Sequence, residues 1–184
     1  HILFDFPQVS KHLPFKAATQ QINWRDDLVN LEKWQQGQTG IPIVDAGMRQ
    51  LLATGWMHNR VRMICAMFLT KNLLIDWRIG EQWFMQHLID GDLAANNGGW
   101  QWCASTGTDA APYFRVFNPI SQSQKFDSNG DYIRKWVPEL AHLDAQIIHE
   151  PYAKDLSKNL NYPKPIVDLK TSRTRAIEAF KSYL

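Results

Sequence analysis

The sequence predicts an all-α domain with irregular connections. Three observations predict it. Helical patterns dominate the chain, and no sustained period-two run is present. Val61, Ile64, Cys65 and Phe68 recur at i, i+3, i+4 and i+7, the spacing of one buried helix face. The 184 residues hold no repeat and no low-complexity segment, and are enough for one domain with a core.

The elements follow in order. Gly40-Ile-Pro42 reads as a turn into a helix over 42–54, with Pro42 in its first turn and Gly55 as its stop. The next helix is expected over 56–75 and carries the apolar stripe. A third covers 81–89 and ends before Asp90-Gly91. Asp92 is placed to cap the segment after it. Residues 103–130 read as a long loop with short helical pieces, broken at Gly107, Pro112, Pro119 and Gly130. A helix is expected over 131–140 despite Pro138, and Asn161-Tyr-Pro-Lys-Pro165 as an extended linker. A last amphipathic helix over 166–183 is expected to bury Leu169, Ala176, Ile177 and Phe180.

Composition narrows the function classes. A formal charge of +2 excludes a polybasic tail, so any nucleic-acid contact has to come from a local patch. Cys65 and Cys103 show neither metal spacing nor a disulfide framework, and no metal site is expected. Cys65 lies among apolar residues and reads as a buried thiol, which suits a reducing cytoplasm. No apolar run nears the ~20 residues of a membrane span, and no signal peptide is visible, so no membrane partner is expected. The chain opens on His1-Ile-Leu-Phe without an initiator Met or a capping signal, as expected of a piece of a longer protein.

The most informative stretch is Asp90-Gly-Asp-Leu-Ala-Ala-Asn-Asn-Gly-Gly-Trp-Gln-Trp102. Each glycine costs a helix about 1 kcal/mol relative to alanine and is tolerated where a backbone or flat ligand comes close. With carboxylates at one end and indoles at the other, the stretch reads as one wall of a pocket for a planar, hydrogen-bonding ligand. Opposite the apolar stripe, the 56–75 helix presents Asn59, Arg62, Met63 and Ala66, which is not a solvated Lys/Glu face. Arg62 either pairs with Asp90 or Asp92, setting the charge beside a redox cofactor, or is an ordinary surface arginine. Asp90 and Asp92 read equally as helix-terminus and turn residues. Of eight tryptophans, Trp24, Trp34, Trp56, Trp77, Trp83 and Trp136 taken singly read as core or boundary residues. Trp100 and Trp102 leave one helix axis about 200° apart and cannot share a pocket wall.

At these residues the chain resembles the C-terminal, FAD-binding part of DNA photolyases and cryptochromes. The resemblance runs essentially end to end. It is carried by Thr39-Gly-Ile-Pro-Ile-Val-Asp-Ala-Gly-Met-Arg49, Gly55-Trp-Met-His-Asn-Arg-Val-Arg-Met63, the stretch from Asp90 to Trp102, Ser105-Thr-Gly-Thr-Asp-Ala-Ala-Pro-Tyr-Phe-Arg115 and Phe117-Asn-Pro119. It implies a helical bowl holding FAD, lined at Trp56, Asn59, Arg62, Phe84, Asp90, Gly91, Asp92 and Asn96. Asn96 matches the residue facing the flavin N5, and Arg62 with Asp90 the ion pair beside the ring. Trp100, Trp77 and Trp24 match an electron-hopping chain, with Trp100 nearest the flavin and Trp24 nearest water. Asn59, Met63 and Trp102 match positions that touch the damaged base pair. Arg60 and Arg115 match phosphate contacts, and Gln122 a further polar contact to DNA. The lesion is expected to be flipped out of the duplex, photolyases being among the enzymes for which base flipping is described, and to stack on Trp102.

The resemblance also selects a branch. The (6-4) photolyases carry histidines where Asn59 and Met63 stand; plant cryptochromes carry an acid and insect ones a cysteine at Asn96. The residues present here imply a class I cyclobutane pyrimidine dimer photolyase, acting on damaged DNA by light-driven electron donation from reduced FAD. Full-length relatives add an antenna domain with a chromophore such as a folate or deazaflavin, and a Thr/Ser clamp for the FAD phosphates. The 184 residues alone are therefore expected to bind FAD weakly or not at all, and to self-associate through exposed pocket surface. A cryptochrome-type blue-light photoreceptor is the alternative. A helical DNA-binding module without a cofactor ranks third, given the small net charge.

Overall fold

Side-chain caps cut this chain into helices. The computed structural model describes residues 2–108, 114–153 and 160–183. In order, these hold α1 (Ile2–Asp5), 3₁₀ turns at Pro7–Lys11 and Ala17–Gln21, α2 (Leu28–Gln35), α3 (Pro42–Thr54) and α4 (Asn59–Met67). A π-helical segment at Phe68–Leu73 continues α4. Then come α5 (Trp77–His87), α6 (Leu93–Ala104), α7 (Pro119–Phe126), α8 (Asp131–Trp136) and α9 (Leu169–Phe180). Among the described residues there is no strand, and no helix is long and apolar enough to cross a membrane. The all-α expectation holds.

Asp27, His58, Asp76, Asp92, Asn118 and Asp168 each accept a backbone N–H of the helix they precede, a contribution of about 1 kcal/mol apiece. Gly55 stops α3 in the left-handed conformation, as expected. The caps also explain where the boundaries differ from expectation. His58 Nδ1 accepts from Arg60 N, so the helix expected from residue 56 begins at Asn59 and leaves Trp56 outside. That helix widens into the π turn after Met67 and ends at Leu74, φ 56°. Asp76 starts the third helix at Trp77, one turn before Glu81. The expected 103–130 loop loses its ends, since α6 runs to Ala104 and α7 forms from Pro119, capped by Asn118. Pro112 lies outside the described residues. The 131–140 helix breaks at Val137, which Pro138 forces out of the α region (φ −127°, ψ 71°), and a 3₁₀ turn follows. The last helix starts only after the Asp168 cap. Its buried line is Ser172, Ala176 and Phe180, so Ile177 is 38% exposed rather than buried and Leu169 is half-buried.

The core is one cluster that includes Trp34, Val44, Met48, Ile64, Phe68, Trp77, Phe84 and Trp100. A smaller one gathers Ile22, Leu74 and Phe180 beneath α9. Two glycines set how close the central helices come. A Cβ on Gly47 would fall 2.5 Å from Val61 Cγ1 and 2.8 Å from Cys65 Sγ, so only glycine lets α4 lie on α3. A Cβ on Gly80 would fall 2.1 Å from Trp100 Cη2, so α5 and α6 meet through the same device. The linker 161–165 is pinned at both ends. Ile166 N donates to Thr39 O at 2.9 Å, and Tyr162 OH donates to buried Asp45, which also accepts Thr39 N and Gly40 N.

Candidate functional site

The outer face of α4, the end of α5 and one side of α6 along its three turns enclose a concavity of about 130 Å³. Asn59, Arg62, Met63 and Ala66, the four residues read as an unusual helix face, all line it. So do Phe84 and Leu88 of the α5 end, and Asp90, Gly91 and Asp92 of the turn after it. Ala95, Asn96, Gly99, Trp100 and Cys103 complete it from α6.

Each polar group there is fixed by a local bond. Arg62 Nε donates to Met57 O at 2.7 Å, and its Nη2 donates to both Asp90 oxygens at 2.9 and 2.8 Å. The pair is a quarter and nearly half exposed, so it borders the concavity rather than lying beneath it. Asp92 Oδ1 accepts Ala95 N at 2.8 Å, so this acid is both helix cap and pocket rim. Asn96 Nδ2 donates to Glu81 O at 2.9 Å, which leaves its Oδ1 as the acceptor for a ligand. Asn59 Nδ2 lies 3.8 Å from Met63 Sδ. Gly99, which lines the concavity, has open space where a Cβ would stand, so this side of α6 offers bare backbone to a flat group. The apolar floor is Phe84, edge-on to Trp100 at 4.9 Å. Burial holds the Cys103 thiol protonated, its pKa pushed up to about 12, so a nucleophilic thiolate is not what this floor supplies.

Trp100 is 2% exposed and its Nε1 has no acceptor among the described residues. Trp34 packs edge-on to it at 6.1 Å and parallel to Phe84 at 6.1 Å, with Trp34 Nε1 donating to Cys65 O. Gly80 lets the Trp100 ring rest on α5, whose first residue is Trp77, 1% exposed. Trp24 is half-buried and meets Phe180 edge-on at 5.8 Å. Two of the three relay candidates are thus buried and the third reaches solvent.

A second neighbourhood gathers several of the residues expected to touch DNA. Trp102 is half-buried beside Phe117 at 6.5 Å, and the Arg115 guanidinium lies over Trp102 at 5.6 Å. Arg60 lies over Phe117 at 6.0 Å and over exposed Phe126 at 4.6 Å. Gln122 stands on α7, one turn before Phe126, and its Oε1 has no donor among the described residues. Trp56 joins neither group: it is 43% exposed and its ring meets His58 edge-on. Residues 109–113 of the Ser105–Arg115 motif lie outside the described residues.

Residues 1–182 match the family described as the FAD binding domain of DNA photolyase. The chain belongs to this family. It is 55% identical over 99% of its length to a deoxyribodipyrimidine photo-lyase of Escherichia coli, of which it spans 39%. Its fold superposes on a bacterial class III photolyase from Agrobacterium tumefaciens with a TM-score of 0.93 at 48% identity, covering 99% of this chain and 39% of that one. A cryptochrome from Synechocystis gives 0.83 at 41% identity, covering 87% and 35%. The chain therefore spans about two fifths of the length of these relatives.

FAD is the cofactor of this family, and the residues present fit its ring. The glycine face of α6 admits a flat group, Trp100 and Phe84 supply an apolar floor, and Asn96 and the Arg62–Asp90 pair supply polar groups at the rim. Sequence reasoning named most of these and read Trp34 as core or boundary, which its burial bears out, but missed Gly80, Glu81 and the packing of Trp34 against Trp100. Gly80 falls one residue before the helix expected over 81–89, so it does not stand out in the sequence as a glycine inside a helix, although Asp76 starts that helix at Trp77. Trp34 and Glu81 carry no local signal, because each acts through partners distant in sequence.

Proposed function

We propose that this chain is the C-terminal part of the FAD-binding catalytic domain of a photolyase that repairs cyclobutane pyrimidine dimers in DNA. The convergence of Asn96, the Arg62–Asp90 pair and the glycine face of α6 on one concavity backed by Trp100 carries this reading. FAD, when bound, supplies the light-driven one-electron chemistry that opens the dimer and then recovers its electron. The protein's residues hold and tune. Arg62 and Asp90 fix charge beside the ring, and Asn96 presents an acceptor whose orientation its bond to Glu81 O sets. Asn59, Met63 and Trp102 receive the flipped bases, and Arg60, Arg115 and Gln122 engage the strand. Trp100, Trp77 and Trp24 refill the flavin with electrons from outside.

A longer protein carrying an antenna domain with its own chromophore, working in the cytoplasm, completes this reading. Exposed Ile89 and Leu93, each next in sequence to residues that line the concavity, make self-association of the isolated chain the expected behaviour. The likeness to a cryptochrome keeps photoreception as the second reading. Blue light on a thymine-dimer oligonucleotide, with full-length protein and reduced FAD, separates them. Thymine absorbance returns under repair; no return eliminates it.

A further inference from the structure

Trp77 has a charged neighbour that the electron relay does not use. The Arg78 guanidinium carbon lies 4.9 Å from the Trp77 ring centre. Arg78 Nη1 donates to both oxygens of Asp76, at 3.0 and 3.1 Å. Asp76 is itself fixed, because its Oδ1 caps α5 by accepting Arg78 N at 3.0 Å. Arg78 Nε is tied to His12 O as well. Three consecutive residues thus place a cation over a buried indole and hold a carboxylate against that cation. Both charges are only about a quarter exposed, so water screens them incompletely.

We propose that the Asp76–Arg78 pair sets the energy of an electron vacancy on Trp77, and so keeps the middle stop of the relay from trapping it. The proposal rests on the relay reading of Trp100, Trp77 and Trp24. The oxidant is photoexcited, oxidised flavin, which takes one electron from Trp100. Trp100 recovers it from Trp77, and Trp77 from Trp24, so each hop moves one electron inward and no proton. A positive Trp77 beside a guanidinium is disfavoured, and beside a carboxylate favoured. The pair balances the two, so that the vacancy enters Trp77 and also leaves it. Removing either partner unmasks the other.

The two partners therefore have opposite effects, which a packing role does not produce. The experiment uses the full-length, FAD-loaded protein in a Trp24→Phe background, where Trp77 is the last stop. A laser flash on oxidised flavin is followed by the transient absorbance of the oxidised tryptophan. Arg78→Met leaves Asp76 unopposed and lengthens the lifetime on Trp77 on the order of tenfold, the scale of one charge at this range after part screening. Asp76→Asn keeps the helix cap, since asparagine caps as well, but leaves Arg78 unopposed and shortens the lifetime several-fold. Arg78→Lys keeps the cation and stays near the parent value. Equal or same-direction shifts in Arg78→Met and Asp76→Asn overturn the proposal. If Trp24→Phe alone leaves the radical lifetime of the parent protein unchanged, the relay reading itself fails, and the two failures are told apart.

Discussion

Gly80 ties the packing of the domain to the position of its central indole, and Gly80→Ala tests that tie. The added Cβ would stand 2.1 Å from Trp100 Cη2, 2.4 Å from Cζ3 and 2.6 Å from Leu69 Cδ2. Carbon atoms rest about 3.5–4.0 Å apart, so the ring has to retreat by roughly 1.5 Å. Leu69 can turn aside, but Trp100 has no slack. Phe84 meets it at 4.9 Å and Trp34 at 6.1 Å, and Trp34 is itself anchored to Cys65 O. Overpacking of this kind costs about 1–3 kcal/mol, and the rigidity of the cage argues for the upper end. Alanine returns about 1 kcal/mol of helix propensity. The expected net loss is about 2 kcal/mol, or a Tm lower by about 4–8 °C for a domain of this size. Urea denaturation and calorimetry of the full-length protein read it, and a displaced Trp100 also slows photoreduction of oxidised FAD. A variant as stable as the parent would refute the close approach of α5 to Trp100.

Three further outcomes follow from the same geometry. Gly99→Ala adds a Cβ into open space, so the flavin-free domain gains up to about 1 kcal/mol in denaturation; the same methyl crowds the concavity, so FAD affinity measured by fluorescence quenching falls. Trp100→Phe or Trp24→Phe slows photoreduction of oxidised FAD while repair by pre-reduced enzyme is spared, and unchanged photoreduction in both contradicts the relay. Burial, the largest single influence, works against the ionised Glu139 carboxyl, but the Arg49 hydrogen bonds, a backbone hydrogen bond and the Arg49 charge together outweigh it and hold the pKa below the ordinary range. A depressed carboxyl stabilises the fold above its unfolded pKa and loses that contribution as pH falls through its folded one, so Glu139→Gln flattens the acid limb of stability against pH by under about 1 kcal/mol.

Much of this arrangement was legible in the sequence because its signals were local. Pro42 and Gly55 bound α3, Asp92 caps α6, and the stripe Val61, Ile64, Cys65, Phe68 is the buried face of α4 and its π extension. The opposite face, Asn59, Arg62, Met63 and Ala66, lines the concavity as its chemistry suggested. What was not legible depends on tertiary partners. Helix α2 exposes Leu28 and Val29 and buries Leu31 and Trp34, so its apolar residues mark no single face. The π turn at Phe68–Leu73 has no sequence signal, and its residues are held by burial on all sides, including Lys71. Ile177 was misplaced because periodicity gives a stripe's spacing but not its centre. The buried side of α9 runs through Ser172, whose hydroxyl accepts Asn72 Nδ2 at 2.9 Å.

Helix α6 shows why a functional helix defeats an amphipathic reading. One side carries Asn96, Gly99, Trp100 and Cys103 to the concavity. The other side is buried too, but polar. Asn97 Nδ2 donates to Glu81 Oε1 at 3.2 Å, Gln101 Nε2 donates to Asn97 Oδ1 at 3.0 Å, and Gln101 Oε1 accepts Phe15 N at 2.8 Å. His12 Nδ1 lies 3.2 Å from Glu81 Oε2 on the same network. Residues 9–15 are thereby strapped over the back of α6 by hydrogen bonds. Such bonds fix register more sharply than a greasy contact, which tolerates sliding. Glu81 closes the circuit: its side chain holds Asn97 in the strap, and its backbone carbonyl holds Asn96 on the pocket side. Adjacent asparagines, about 100° apart around one helix, are thus locked to the same residue of α5. The Asn96 amide at the concavity cannot turn without giving up its bond to the Glu81 carbonyl.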